Sequence, residues 1–194
     1  MVVFIVILTG CSNEFELQKS VFISDTEYPD LPKYSEWGYN TFGAYYDREV
    51  FVSNNKEVPM KVVVTNDTTS FIFQGQKGAS EYIDYNNEMS MKFSITDFLP
   101  NDYTDLILLN DTIIDLENSD CRVLITINVT SYEATILNGK LEFKRVQKLL
   151  VDTKQVEVIL SGLFEFQALI NDMPISVTNG RFDVGIGKNN FFSY

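Results

Sequence analysis

Met89-Ser90-Met91-Lys92-Phe93-Ser94-Ile95-Thr96 alternates apolar and polar residues at every step. A period of two puts successive side chains on opposite faces of an extended chain, so one face is buried and the other wet. Cys121, Val123, Ile125, Ile127 and Val129 follow the same rule against Arg122, Thr126, Asn128 and Thr130, with Leu124 the apolar exception. Phe164, Phe166 and Ala168 alternate with Glu165 and Gln167. Further strands are expected at 48–53, 59–66, 70–76, 106–109, 141–150, 155–160 and 175–186. Turn chemistry divides them at Asn66-Asp67, Gly75 to Gly78, Asn138-Gly139, Val151-Asp152 and Asn171-Asp172. Asn138-Gly139 is the strongest hairpin signal, because a type I′ turn needs positive φ at both central positions. No ten-residue window carries a helical stripe. About ten antiparallel strands predict one all-β domain over 37–187, a β-sandwich or a flattened barrel.

Composition narrows the chemistry. Hydrophobic residues at 45% and aromatics at 13% are too many for a disordered chain. With 27 acidic against 15 basic residues the net charge is −12, a surface that repels nucleic acid and anionic phospholipid. The chain has no histidine. That removes Ser-His-Asp and Cys-His catalysis, the usual zinc ligand sets and the commonest general base. Carboxylate, lysine or tyrosine chemistry is what remains.

The two ends of the chain carry different signals. Met1-Val2-Val3-Phe4-Ile5-Val6-Ile7-Leu8 is an uncharged apolar run, and Leu8-Thr9-Gly10-Cys11 has the pattern of a bacterial lipobox. The run is too short to span a bilayer, which needs about 20 apolar residues. It fits the apolar region of a secretory signal, although no Lys or Arg precedes it. The competing reading is a buried N-terminal strand that happens to end in a cysteine. On the lipobox reading residues 1–10 are removed and Cys11 takes diacylglycerol and a further acyl group such as palmitate on a membrane. Two or more acyl chains anchor stably where one does not. Ser12 stands where an Asp would retain the protein at the inner membrane, so the outer membrane is the expected location, with the membrane itself the first partner. The other cysteine, Cys121, heads an apolar strand and reads as a buried thiol, leaving no intramolecular disulfide. Residues 11–36 read as the acylated cysteine and a polar tether with Pro29 and Pro32 near its end, a coil reaching roughly 80 Å at full stretch. Residues 188–194 form a C-terminal tail that either closes a sheet edge or hangs loose.

Tyr39-Asn40-Thr41-Phe42-Gly43-Ala44-Tyr45, followed by Glu49-Val50-Phe51-Val52, resembles the opening strands of a domain in uncharacterised Bacteroidetes lipoproteins, where an NTFGA strand turns into a VFVP-like strand. Ser161-Gly162-Leu163-Phe164-Glu165-Phe166 and Thr178-Asn179-Gly180-Arg181-Phe182-Asp183-Val184 are similar to the closing strands of that domain. Asp47-Arg48 departs from the usual Asn-Gly turn, and Ser53-Asn54-Asn55 lacks the Pro. The resemblance implies an all-β, lipid-anchored envelope protein and brings no established activity. In physical terms, Gly43 lets a neighbouring segment approach its strand. Arg181 and Asp183, two apart on one strand face, read as an ion pair, solvated or partly buried.

Three surface features are candidate sites. Trp37, Tyr39, Phe42, Tyr45 and Tyr46 form an aromatic group on which sugar rings would stack, with core packing the plainer account of Trp37 and Phe42. Tyr45 and Tyr46 are adjacent, so one of them faces outward. Between Asp97 and Asp120 seven acids occur without a Lys or Arg. Asp102, Asp105, Asp111 and Asp115 would offer oxygens to calcium, joined by Asn101, Asn110 and Asn118, although the EF-hand spacing is absent and a solvated acidic loop is the plainer reading. Asp67-Thr68-Thr69 and Asp111-Thr112-Ile113 resemble the Bacteroidetes O-glycosylation signal, with Thr68 and Thr112 the acceptors. The function expected is a binding or structural module for a glycan or an envelope protein. The alternative is a glycoside hydrolase, for which two carboxylates suffice.

Overall fold

The structure is a computed structural model that describes residues 19–53, 59–78, 87–151 and 154–194. Cys11, the apolar run before it, the first part of the tether and Asp152 lie outside the described residues. The described chain is all-β. Its strands are β1 (Thr41–Tyr46), β2 (Glu49–Val52), β3 (Met60–Val64), β4 (Thr69–Lys77), β5 (Glu88–Ile95), β6 (Thr112–Asp115), β7 (Arg122–Ile127), β8 (Thr130–Val151), β9 (Lys154–Ile170), β10 (Met173–Ile186) and β11 (Phe191–Ser193).

Antiparallel pairing runs β4-β2-β1-β10-β9-β8-β7-β5, and β5 pairs again with β4, so a ring of eight strands closes on itself. Closure removes the open edges that a flat sheet would expose. Three strands lie outside the ring: β3 on β4, β11 parallel to β3, and β6 on β8. The alternating residues of each strand fill the interior. Phe73 stands at its centre, with ring centroids of Phe182, Phe42, Phe164 and Phe93 at 5.3, 5.4, 5.5 and 6.0 Å. Phe143 bridges Phe71 and Phe182 at 5.1 and 5.7 Å. Tilted and edge-on aromatic pairs of this kind add to the burial of their area.

Several expectations are corrected. Asn138-Gly139 makes no hairpin; it lies inside β8, a strand of 22 residues. The pairing with β9 slips between Ile136 and Asn138, so the pair forms a bulge, and Gly139 takes φ 143° where a Cβ would fall 2.3 Å from Cβ of Phe166. A bulge and a tight turn both ask for a residue free of Cβ sterics, and the dipeptide alone does not distinguish them. Reading Asn138-Gly139 as a turn is why β8 reads in sequence as a shorter strand at 141–150; further slips at Phe143/Arg145 and Leu149/Leu150 lie within that stretch. Likewise 155–160 and the Phe164 segment are one strand, β9. Asn171-Asp172 does make the two-residue turn, with φ 51° and 62°. The alternation from Cys121 to Thr130 is cut at Asn128 (φ 56°) and Val129, which is 96% exposed at the turn between β7 and β8. Gly75 pairs with Met89 inside β4 instead of opening a turn. Residues 106–109 belong to a 3-10 helix, Tyr103–Leu109, because Leu106 and Leu109 share one face at a spacing of three and both are buried. The C-terminal tail closes an edge as β11: Asn190 donates from Nδ2 to the carbonyls of Met60 (3.1 Å) and Gly185 (2.9 Å) and accepts from the Gly187 amide (2.8 Å).

The largest correction concerns the tether. Residues 19–36 are not a free coil; they form a strap across the outer face of β1, β10 and β9. Leu31 is fully buried, and Ser24 bridges to Pro32. Gly43 is what admits the strap, since a Cβ there would lie 2.5 Å from Cδ of Pro32. The outward residues of the covered strands are buried too, among them Thr41, Ser161, Arg181 and Asp183. A charged tail on both sides of Leu31-Pro32 gave the segment its soluble appearance, while two apolar residues meeting a glycine hold it down.

Candidate functional site

Arg181 and Asp183 do not pair with each other; each holds a different part of the strap. The Arg181 guanidinium donates to Asp25 at 2.7 Å and to the Asn179 carbonyl at 3.1 Å, and it stacks over the Tyr28 ring at 5.3 Å. Asp25 also accepts from the amides of Glu27 (2.8 Å) and Tyr28 (3.1 Å). The Glu27 amide above all, then the Tyr28 amide and the Arg181 guanidinium, lower its carboxyl below the ordinary 3.8 against the opposing effect of burial. Asp183 is 1% exposed and accepts from the amides of Gly38 (2.8 Å), Tyr39 (3.1 Å) and Trp37 (3.2 Å), from Ser161 Oγ (2.9 Å) and from Ser35 Oγ. Five donors converge on one carboxylate, so it is satisfied without a cation. These two residues are a clamp for the strap, a role that strand alternation could not reveal.

The strap builds one surface cleft among the described residues. Val21, Ile23, Lys33, Tyr34, Trp37 and Tyr39 line about 230 Å³. Trp37 is 75% exposed, and Val21, Phe22 and Ile23 are close to half exposed. Of the predicted aromatic group, only Trp37 and Tyr39 meet here. Phe42 is in the core. Tyr45 lies under the strap with its ring centroid 6.1 Å from that of Tyr28, and Tyr46 is buried with Lys77 Nζ over its ring at 5.4 Å. Tyr45 and Tyr46 point to opposite sides, as adjacent strand residues must, and neither joins Trp37 in a platform.

The second cleft, about 350 Å³, runs along β6. Ile95, Phe98, Leu108 and Ile113 give it an apolar lining, and Asp97, Asp115 and Asp120 add acid. Leu108 and Ile113 are 72% and 62% exposed. Among the described residues β6 pairs only with β8, so its other edge carries no strand.

The structure does not bring the calcium candidates together. Asp102 accepts from the Thr104 amide (2.7 Å) and hydroxyl at the start of the 3-10 helix. Asp105 accepts from the Asn101 amide at 2.9 Å, and Asp115 from the amides of Glu117 and Asn118 at 3.0 and 3.2 Å. Asp111 occupies a turn at φ 63°. Local hydrogen bonds, the Thr104 hydroxyl first for Asp102 and the Asn118 side chain first for Asp115, lower both carboxyls. Among the described residues no group of three or more acids or cysteines is placed to hold a metal ion. The four aspartates shape their own turns.

Thr68 lies half-buried in the turn before β4, its hydroxyl 2.8 Å from that of Thr65, and Thr112 opens β6 in the second cleft. Cys121 is buried, and burial pushes its thiol up to about 11. Burial raises the Glu157 carboxyl, and Glu157 lies in neither cleft. Comparison with protein-family models, with curated proteins and with solved structures finds no match to this chain.

Proposed function

We propose that this chain is a lipid-anchored outer-membrane protein whose β-domain binds an extended, basic and apolar segment of another envelope protein. The anchor is a thioether between the Cys11 sulfur and a diacylglyceryl group taken from a phospholipid, as the Leu8-Thr9-Gly10-Cys11 pattern asks. The strands that resemble those of Bacteroidetes lipoproteins support the same placement. We read the closed ring as a flattened barrel that is solid throughout. One observation carries the binding role: the phenylalanines around Phe73 fill the interior, so recognition falls to the surface, and the cleft along β6 is the better equipped part of it.

That cleft joins an unpaired strand edge, an apolar lining and an acidic border. An added strand would take its main-chain hydrogen bonds from β6, seat alternate apolar side chains near Leu108 and Ile113, and set basic ones against Asp97, Asp115 and Asp120. The glycoside-hydrolase alternative needs a protonated carboxyl facing a second carboxylate across one cleft. Glu157 meets no such partner in either cleft. A sugar stacked on Trp37 rests on one exposed ring where a platform was expected.

The test is site-specific photo-crosslinking in native membranes, with the photoreactive residue at Leu108, at Ile113 and, as control, at Arg48 in the turn before β2. A single envelope protein captured from the first two positions and lost with Ile113→Lys is the expected result. Equal capture from all three, or none, refutes the cleft. Intact-mass measurement of the same preparation reads the acyl mass on Cys11.

A further inference from the structure

We infer that the apolar patch of the strap, Val21 and Ile23 with Trp37, rests in the headgroup region of the membrane that holds Cys11. The inference deepens the anchor reading and depends on it. Its first support is chain length. Only about eight peptide steps separate Cys11 from Lys19, a reach of about 28 Å at most by any path. The strap is already in place at the first described residues, which therefore cannot stand off from the membrane as a free tether of 25 residues would allow. The Val21 amide donates to the Tyr39 carbonyl at 2.8 Å and the Ile23 carbonyl accepts from the Lys33 amide at 2.6 Å, which holds both residues in place.

The second support is the make-up of the surface. Val21, Ile23 and Trp37 line one cleft and are 46, 45 and 75% exposed, a concentration of bare apolar side chains. Tyr34 and Tyr39 line the same cleft, with Lys33 beside them. Tryptophan and tyrosine with an apolar body and a polar tip collect at the membrane–water interface, and a lysine stem lies along apolar surface with its charge in water. A soluble monomer leaves single apolar residues bare, but a contiguous group marks a contact. The net charge of −12 disfavours an anionic surface at long range, so the lipid anchor must deliver the patch and the apolar side chains then hold it. The strap clamped by Asp183 and Arg181 thus fixes the orientation of the barrel on the membrane.

Trp37 is the sole tryptophan of the chain and therefore a native probe. The processed protein, purified from its membranes, is placed in phosphatidylethanolamine–phosphatidylcholine vesicles whose phosphatidylcholine carries bromine near the top of its acyl chains. Vesicle flotation reads the anchor, and Trp37 emission reads the patch. The expected result is a floating protein whose emission is shifted to shorter wavelength and largely quenched by bromine, with the quenching reduced in Ile23→Ser. A floating protein with unshifted, unquenched Trp37 overturns the inference and leaves the anchor standing. A protein that does not float and shows no acyl mass overturns both. Emission that responds to soluble envelope polysaccharide and not to brominated lipid assigns the patch to sugar and overturns the membrane contact.

Discussion

Glu157 sits half-buried on β9 where its Oε2 lies 2.2 Å from the place a Cβ would occupy on Gly185. Burial pushes its carboxyl above the ordinary 4.5, because the charged form loses water. A raised folded value means that the folded chain holds the proton more tightly than the unfolded one. The stability this confers is complete below pH 4.5 and is lost as pH rises through the raised value. At neutral pH the ionised side chain is thus a liability. Glu157→Gln, which keeps the shape without the charge, is expected to melt above the parent at pH 7 and level with it at pH 3.5. Thermal melts at the two pH values check this, and an equal difference at both would show that charge is not the cause. Single residues of this kind were poorly legible in the sequence. Gly43 is legible as a point of close approach because a glycine in a strand asks for one, and Cys121 as buried because it heads an apolar run. The neighbours of Glu157, Arg181 and Asp183 come from distant strands and from the strap, and no local pattern records them.

At the scale of the element, the strap is the part that the sequence concealed. Its residues are mostly polar, and the signals that dock it are sparse: Asp25 caps a turn, Leu31-Pro32 meets Gly43, and Ser35 reaches Asp183. Burial of the outward residues of β1 and β10 is the structural mark of a covering layer, and it would read in sequence only as strands without a wet face, such as Thr41-Phe42-Gly43-Ala44. Asn138-Gly139 failed for the opposite reason, since a strong local signal was used for a bulge in a strand that carries on. The strap is held by a few side-chain contacts, so its opening is expected at a lower cost than unfolding of the barrel. Asp183→Ala leaves the amides of Trp37, Gly38 and Tyr39 without their acceptor, a loss of about 3 kcal/mol for a buried, charge-assisted group. Limited proteolysis is expected to cut the Asp183→Ala chain within 19–40 at protease levels that spare the parent, while the barrel fragment survives. Cleavage spread evenly along the chain would mean that strap and barrel unfold together.

At the scale of the whole molecule, period-two alternation announced an all-β domain because half-buried strands need one apolar face, and that much was legible from end to end. Ring closure was not, because it depends on β4 meeting β5 on one edge and β2 on the other, and pairing partners leave no trace in a single sequence. The interior follows from closure: eight strands leave room for side chains alone when those are as large as phenylalanine. Phe73 touches rings from β1, β5, β9 and β10 and so ties opposite walls together. Phe73→Ala opens a cavity that these walls cannot all collapse to fill, and its cost is about 3–5 kcal/mol. Because the clefts lie on the outside, capture at Ile113 and bromine quenching of Trp37 should persist in Phe73→Ala below its melting point. Urea unfolding gives the first quantity, and crosslinking on the still-folded variant gives the second. Loss of surface binding in a variant that remains folded would show that the core communicates with the clefts, and the solid barrel would then be more than a scaffold.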